Sequence, residues 1–552
     1  MEGNRLSYTL LCVEDNITTR ALYEVLFEDK VKEIIFALDG EDGYNKFLEN
    51  KIDIIISDYE MPKLNGLQMT QKIRQVNSDI PIILCTAMND TDVIIDALHL
   101  GINSFVKKPI QKKEIYDTFE NASKLLIANS VIQESRDKKI NELQEKEKYN
   151  SYQEDLAFAK ELNILRNDFY YQMIGESSIS LVDFLYHPLD VISGDAYSAR
   201  RLDDHRTFYL LVDGMGKGLS ASLTAMIMTS FVNHLIDKMI EHDSFSLDIL
   251  IKESMDYIKP VLLDEEALAI DYILFDHHFN KLHYAKFAMP VFLLQDKYGT
   301  IIKIKSNNPP LSKWQPNYKV DTYDIHDIHK FLFYSDGIVE NEVKDSHQTY
   351  ADYIVDDFAD SFTREELKLK VFAKLATQED DITLIFINKL NFSNSLISQQ
   401  TYQTSLEDVE LAGEWYNDVW HELCNDTKLS YSAGVVFTEL FMNAYEHGNL
   451  GLDSGTKHRL LDEDIYFETL LEQEQACNKK IDVNIYKIVT KTSTYIITQI
   501  TDEGEGFDTQ ILSQIFRNSQ TFNGRGVFVS RKNSMGIYYN TDGNSVLYLN
   551  KI

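Results

Sequence analysis

Four short apolar runs in the middle of the chain each meet an aspartate at one end, and that pattern restricts the fold more than any other. Asp213 closes Phe208-Tyr-Leu-Leu-Val212 and is followed by Gly-Met-Gly-Lys-Gly218. Beyond the glycines, Ala221, Leu223, Met226, Ile227 and Phe231 recur at helical spacing, so the segment reads strand, glycine turn, helix. Ser193-Gly194-Asp195 follows Asp190-Val-Ile192, Asp336-Gly337 follows Phe331-Leu-Phe-Tyr-Ser335, and Asp380-Asp381 precedes Ile382-Thr-Leu-Ile-Phe-Ile387. Acids at the ends of separate strands predict one carboxylate cluster. Packed carboxylates repel and raise one another's pKa unless cations compensate, and backbone carbonyls at a glycine turn can join them as ligands. No His or Cys stands at ligand spacing here, so oxygen-preferring Mg or Mn is expected rather than Zn.

Ser-Gly-Asp, Asp-Gly-x-Gly-x-Gly, Tyr-Ser-Asp-Gly-x-x-Glu (ending at Glu340) and Asp-Asp-Ile-Thr come in an order that resembles the SpoIIE-like branch of the metal-dependent PPM serine/threonine phosphatases. The resemblance spans roughly residues 175 to 390 and implies a β-sandwich flanked by helices with a pair of Mn or Mg ions. It implies that Asp213 bridges the ions, the Gly214 carbonyl completes one, and Asp336 and Asp380 hold the other. Asp381 takes the last place if that motif is shifted by one, and Asp195 reaches the site through bound water. Such a centre activates water for in-line attack on phosphorus. Two places depart from the pattern: Met215 with Lys217 in the glycine turn, and Phe287-Ala-Met-Pro290 where the family often has Ala-Gly-His-Pro-Pro.

The 552 residues are enough for three or four domains. No run reaches the ~18 to 20 apolar residues of a membrane span, and the first residues lack a signal-peptide pattern. Cys12, Cys85, Cys424 and Cys477 are scattered and read as reduced core thiols. A net charge of −33 argues against nucleic acid and anionic membrane as partners. A cytoplasmic protein is the expectation.

Toward the N-terminus, strand and helix signals alternate. Tyr8-Thr-Leu-Leu-Cys-Val13, Glu33-Ile-Ile-Phe-Ala37, Ile52-Asp-Ile-Ile-Ile56, Pro81-Ile-Ile-Leu-Cys85 and Ser104-Phe-Val106 predict a doubly wound parallel sheet with its ligands at the carboxyl ends of the strands. The polar residues there are Glu14, Asp15, Asp58, Thr86 and Lys108. Two acids can hold Mg, Asp58 can be the nucleophile, and Thr86 and Lys108 can hold phosphoryl oxygens. With Asp58-Tyr-Glu-Met-Pro-Lys-Leu-Asn-Gly66 and Lys108-Pro109, these residues resemble a response-regulator receiver domain. The domain is placed at 1–123, flavodoxin-like in fold, with a sensor histidine kinase as its donor and Phe105 as the switch aromatic.

From 124 to 172 the chain has no Pro or Gly. Phe158, Leu162, Leu165 and Phe169 fall at spacings of 4, 3 and 4, which predicts a helical coiled-coil connector and a homodimer. The alternative is a lone helix packed on its own phosphatase domain, placed at 173–390.

Past a polar linker, residues 400–552 bring a third pattern. Glu439 and Asn443 are four apart on a helix whose other face carries Val436, Leu440 and Ala444. A strand then runs into Asp502-Glu-Gly504-Glu-Gly506, and Asn523-Gly524-Arg-Gly526 supplies a backbone-donor loop for phosphates. Glu-Leu-Phe-Met-Asn-Ala-Tyr-Glu-His-Gly (439–448), Asp502-x-Gly504-x-Gly506-Phe507 and Gly524-Arg525-Gly526 resemble the GHKL ATPase fold, an α/β sandwich, in its anti-sigma-factor serine kinase branch. By that resemblance Asn443 coordinates Mg, Asp502 reads the adenine of ATP, and Glu439 is the base for a serine hydroxyl. The stretch from Leu450 to Lys480 is longer than that family needs. The resemblances together imply a receiver that sets the balance between a phosphatase and a kinase acting on a STAS-domain anti-sigma antagonist. The alternative is a C-terminal module that sequesters a sigma factor or antagonist without phosphorylating it.

Overall fold

The computed structural model describes residues 6–87, 96–102, 104–216, 218–510, 512, 530 and 533–552. They fall into two compact units, 1–151 and 152–552.

In the first unit, β1 (Leu6–Val13), β2 (Val31–Ala37), β3 (Ile54–Asp58), β4 (Ile82–Thr86) and β5 (Ser104–Lys107) form a parallel sheet of order β2-β1-β3-β4-β5. That is the doubly wound order in which the strand sequence reverses beside β1, so a crevice opens at the carboxyl ends of β1 and β3. Period-two alternation supplies both faces. Leu10, Cys12, Ile54 and Ile56 pack with Tyr23, Phe27 and Phe119 on one side, whereas Leu11, Val13, Ile55 and Leu84 pack with Met69 and Ile73 on the other. Asn65 caps the helix Gly66–Val76 with a reciprocal capping box, which fixes where the chain turns back after Asp58.

The last receiver helix does not stop at the domain edge. Lys112–Ile164 is one helix of 53 residues, about 80 Å long at 1.5 Å per residue. It ends eight residues short of the expected 172, and the predicted coiled-coil seam is corrected. Leu162 is still helical but buried, while Leu165 and Phe169 lie past the helix end, 1% and 0% exposed in the core of the second unit. Helical spacing reveals an apolar stripe without telling whether a second copy or the chain's own sheet covers it; here the sheet does.

The second unit begins with a sandwich. One sheet holds β6 (Arg166–Asn167), β9 (Asp195–Arg201), β10 (Arg206–Gly214), β11 (Ala267–Asp276), β12 (Lys281–Phe287), β15 (Leu311–Ser312) and β16 (Asp321–Asp324). Its order is β16-β12-β11-β10-β9-β6, with β15 added to β11. The other holds β7 (Tyr171–Met173), β8 (Ser178–His187), β13 (Phe292–Asp296), β14 (Ile301–Ile304), β17 (Ile328–Tyr334) and β18 (Ile382–Asn391), in the order β14-β13-β17-β18-β8-β7. The helix Leu219–Glu241 packs outside the first sheet, and Ile354–Ala359 and Arg364–Lys374 outside the second. By length and apolarity Leu219–Glu241 could cross a membrane, yet its Ala225, Met228, Val232 and Ile236 are the side chains the sandwich core takes in.

A third sheet follows after only four residues: β19 (Leu396–Gln403), β20 (Lys480–Val489), β21 (Thr494–Asp502), β22 (Gly536–Tyr539) and β23 (Ser545–Lys551), antiparallel in the order β19-β20-β21-β23-β22. Helices Leu406–Leu423 and Thr427–Asn443 cover one face through Tyr416, Trp420, Val436, Phe437 and Leu440. The sheet also meets the sandwich. Tyr495 stacks on Phe362 at 4.1 Å and donates to Glu366 Oε1 at 2.7 Å, which also accepts from Lys551 at 2.8 Å. Phe392 stacks on Tyr486, and Tyr170 N–H donates to the Tyr539 carbonyl at 3.0 Å. One apolar cluster runs through both parts.

Candidate functional site

In the receiver, parallel pairing brings the carboxyl ends of β1, β3 and β4 level. Glu14, Asp15 and Asp58 place ligand oxygens within 4.8 Å of one another, with Glu14 and Asp58 buried and Asp15 exposed. Lys108 lies between two of them: its Nζ is 2.5 Å from Asp58 Oδ2 and 3.1 Å from Glu14 Oε2. Burial, then the Asp58 charge, pushes the Glu14 carboxyl up, and Lys108 counters that. Burial disfavours the Lys108 ammonium, but its bonds to Asp58 and Glu14 outweigh this and hold its pKa above the ordinary value. Thr86 ends β4, buried, and its carbonyl accepts from Lys108 N–H at 2.9 Å. Phe105 is half-buried on β5. All the residues the sequence singles out here stand at one end of the sheet. An anionic trio beside a fixed ammonium fits a divalent cation and a phosphoryl group.

In the sandwich, β9 and β10 pair so that Asp195 stands directly opposite Asp213. Gly214, buried, ends β10, and its N–H donates to the Gly194 carbonyl at 3.0 Å. Asp336 opens a one-turn helix laid against the start of β18 so closely that a Cβ on Gly337 would sit 1.9 Å from the Asp381 carbonyl oxygen. Burial first, then Asp195, Asp336 and Asp380, push the Asp213 carboxyl up to about 10. Burial, with Asp381 and Asp336, also pushes Asp195 well up, although the Ser335 hydroxyl donates to its Oδ2 at 2.6 Å. Asp381 has a different task from Asp380. Its oxygens accept from Leu189 N–H at 2.6 Å and Gly194 N–H at 2.5 Å, tying down the loop before Asp195. Asp380 accepts from Asp381 N–H at 2.8 Å and adds its charge to the field on Asp213. An all-oxygen donor set in which burial and neighbouring acids push Asp195 and Asp213 up fits hard divalent cations. Lys217 lies outside the described residues. Met215 is exposed in the glycine turn, while Phe287 is buried and pairs with Ile270.

In the C-terminal domain, Thr427–Asn443 carries Glu439 and Asn443, both half-buried, and passes straight into a π-helical turn, Ala444–Asn449. That turn lies on the end of β21: a Cβ on Gly448 would be 2.5 Å from Asp502 Cγ, and one on Gly504 would be 2.1 Å from the Gly448 carbonyl oxygen. Gly506 takes a φ of 71°. Asp502, 8% exposed, accepts from Gly504 N–H at 2.9 Å, and burial pushes its carboxyl up to about 6. Burial first, then the charges of Glu439 and Asp502, push the Tyr539 hydroxyl up. Gly524 and Gly526 lie outside the described residues. The long stretch after Gly448 forms helices Ser454–Asp462 and Tyr466–Ala476, fastened to buried Glu446 by Lys457 and the Tyr466 hydroxyl.

Sequence reasoning missed the residues that hold the acids in place. Ser335 stands inside a quoted motif, so its hydroxyl was findable there; Glu161, on the connector, had no such signal.

A profile of the response regulator receiver domain matches residues 10–120, and one of stage II sporulation protein E (SpoIIE) matches residues 203–389. The chain is 37% identical over 106 residues to a probable transcriptional regulator, ycf27, of Guillardia theta, 19% of this chain and 41% of that one. It thus spans less than half the length of the curated transcriptional regulators it matches. It is 31% identical over 109 residues to the chemotaxis protein CheY of Thermotoga maritima, covering 84% of that protein and 20% of this chain. The solved structure of the RsbU and RsbW domains of a Mycobacterium tuberculosis protein aligns with 68% of this chain and 94% of its own, at 12% identity and a TM-score of 0.36. From the receiver profile and the near-complete CheY alignment, with the SpoIIE profile behind them, the chain belongs to the response regulator receiver family and carries a SpoIIE phosphatase domain after its receiver.

Proposed function

We propose that the chain is a response regulator whose receiver controls a metal-dependent protein serine phosphatase. An opposing ATP-dependent serine kinase would lie on the same chain, and a STAS-type anti-sigma antagonist would be the shared target. The observation that carries the phosphatase reading is the mutual field of Asp195, Asp213, Asp336 and Asp380, which leaves Asp213 short of positive charge. A divalent pair held by Asp213, the Gly214 carbonyl, Asp336 and Asp380 would supply that charge and the Lewis acidity for hydrolysing a phosphoserine ester. The chain's own residues do the rest. The Ser335 hydroxyl orients Asp195, and Asp381 immobilises the 189–194 loop through two backbone N–H groups. At the other end of the chain, Asp58 presents a carboxylate oxygen to a phosphodonor, and the Lys108 ammonium at 2.5 Å stands ready to hold the new phosphoryl oxygens. In the C-terminal domain, Asp502 would accept from the adenine amine, Asn443 would hold Mg, and Glu439 would take the serine proton.

A second reading keeps the phosphatase and makes the C-terminal domain a holder of a sigma factor or antagonist. The two helices fastened to Glu446 favour it, as an addition beside Asp502 that a compact kinase does not need. Incubation with Mn and a phosphoserine antagonist, then with ATP and the unphosphorylated antagonist, tests both. Phosphate release in the first mixture and transfer in the second support the full reading. Release with a stable complex but no transfer supports the second. No release in Mn or Mg defeats both.

A further inference from the structure

The connector helix reaches the acid cluster of the sandwich through the side chain of Glu161. Glu161, three residues before the helix ends at Ile164, is 2% exposed. Its Oε1 accepts from the Ser193 backbone N–H at 2.9 Å and from the Tyr186 hydroxyl, which also lies 3.3 Å from the Asp195 carbonyl oxygen. The Ser193 hydroxyl oxygen in turn accepts from Asp195 N–H at 3.0 Å. Several elements hold the turn that delivers Asp195, among them the Gly214 N–H and the Ser335 hydroxyl already described. Asp381 at the start of β18 takes Leu189 and Gly194, and Ser222 on the helix after the glycine turn donates to the Ile192 carbonyl at 3.1 Å. The connector adds a further hold through Glu161. Among the described contacts on this turn, Glu161 is the one that comes from a helix beginning in the receiver.

Packing does not call for an acid at this place. Leu162 and Leu165, 5% and 1% exposed, already seat the end of the helix in the core, and burying a carboxylate is unfavourable unless it makes compensating hydrogen bonds. The bonds of Glu161 Oε1 to the Ser193 N–H and the Tyr186 hydroxyl both bear on the Ser193–Asp195 turn. We infer that Glu161 is a positioning residue: it sets where Asp195 stands opposite Asp213, and a shift of the connector at 161 is felt as a change in how the cluster holds divalent metal. The inference rests on the metal-centre reading proposed above. The conservative substitutions separate positioning from bulk. Glu161→Gln keeps an acceptor oxygen at the same reach, Glu161→Asp keeps the charge but is one carbon shorter, and Glu161→Ala has neither.

The test is Mn2+ binding to the full-length chain by titration calorimetry, alongside Mn2+-dependent hydrolysis of p-nitrophenyl phosphate and a thermal melt. Wild type is read first. No Mn2+ binding there sinks the metal-centre reading and this inference with it, whereas binding without hydrolysis sinks only the phosphatase step. In the series, Glu161→Gln should bind within about threefold of wild type, Glu161→Asp at least threefold more weakly, and Glu161→Ala at least tenfold more weakly. The Mn2+ midpoint of hydrolysis should move in the same order. A purely structural glutamate would lower the melting temperature in Glu161→Ala and leave Mn2+ affinity flat across the series, and that result overturns the inference. If Glu161→Ala does not fold, Glu161→Asp decides, and wild-type Mn2+ affinity in it overturns the inference equally.

Discussion

The receiver and the sandwich each gather acids at strand ends, but they balance the charge in opposite ways. In the receiver, Lys108 lies between Glu14 and Asp58, and the three acids bring their oxygens within 4.8 Å. Among the described residues, no three of the sandwich acids come that close. Asp213 there is surrounded by other carboxylates, which together with burial push it up to about 10. The first site carries its own counter-charge and can therefore be changed by a covalent group of modest charge. In the second, Asp195 and Asp213 are both pushed up with no lysine between them, among the described residues, to counter it, so its activity should follow metal supply.

That contrast can be broken most sharply at Asp213. Asp213→Asn or Asp336→Asn should cut phosphoserine hydrolysis on the order of 10³-fold or more, with the thermal melt unchanged or higher, because a repelling carboxylate is gone. Retained turnover in either variant would remove the metal assignment. Next in size is Asp58→Ala, in which the ratio of phosphatase activity with and without a small phosphodonor should fall to unity while basal activity stays. A response undiminished in that variant contradicts control through the receiver.

Lys108→Ala tests the internal counter-charge. It leaves Glu14 and Asp58 facing each other and should destabilise the receiver by about 1 to 3 kcal/mol in chelator. Millimolar Mg2+ should recover most of that loss, read as denaturation midpoints with and without the ion. A loss indifferent to Mg2+ would mean that the trio does not take the cation.

The smallest effect concerns Asp502. Its carboxyl is raised from 3.8 to about 6 in the fold, so the folded chain binds that proton more tightly than the unfolded one. Stability from this group is therefore full below pH ~4 and is lost as pH rises through about 6, by roughly 2 to 3 kcal/mol in all. Asp502→Asn should be more stable than wild type at pH 7.5 and equal to it near pH 4. Equal melts at both pH values would show that burial does not penalise this acid.

The strand-end acids were legible because motif chemistry and secondary structure coincide in them. Asp195, Asp213, Asp336 and Asp380 each sit where an apolar run stops, and the cluster could be drawn before any coordinates. The same holds for Glu14, Asp58 and Lys108. The destination of the connector was not legible. Leu162, Leu165 and Phe169 have the spacing of a partner-facing stripe, and nothing local says that β-strands of the same chain will cover them. Glu161 was hidden for the same reason, since a glutamate in a charged helix looks like solvated surface until the fold brings Ser193 over it. Nor did any motif announce that Phe362, Phe392, Tyr486 and Tyr495 would join two domains, because each of these aromatics is as consistent with a private core.

That joint fixes a ratio. With Tyr495 stacked on Phe362 and Glu366 gripped by Tyr495 and Lys551, the C-terminal domain is welded to the phosphatase instead of swinging from a tether. A cell making this chain cannot raise the amount of one without the other. Any change in how the two act has to come from signals arriving at the finished molecule. Gene dosage and differential turnover, the usual means of changing the ratio of two separate proteins, are closed to it.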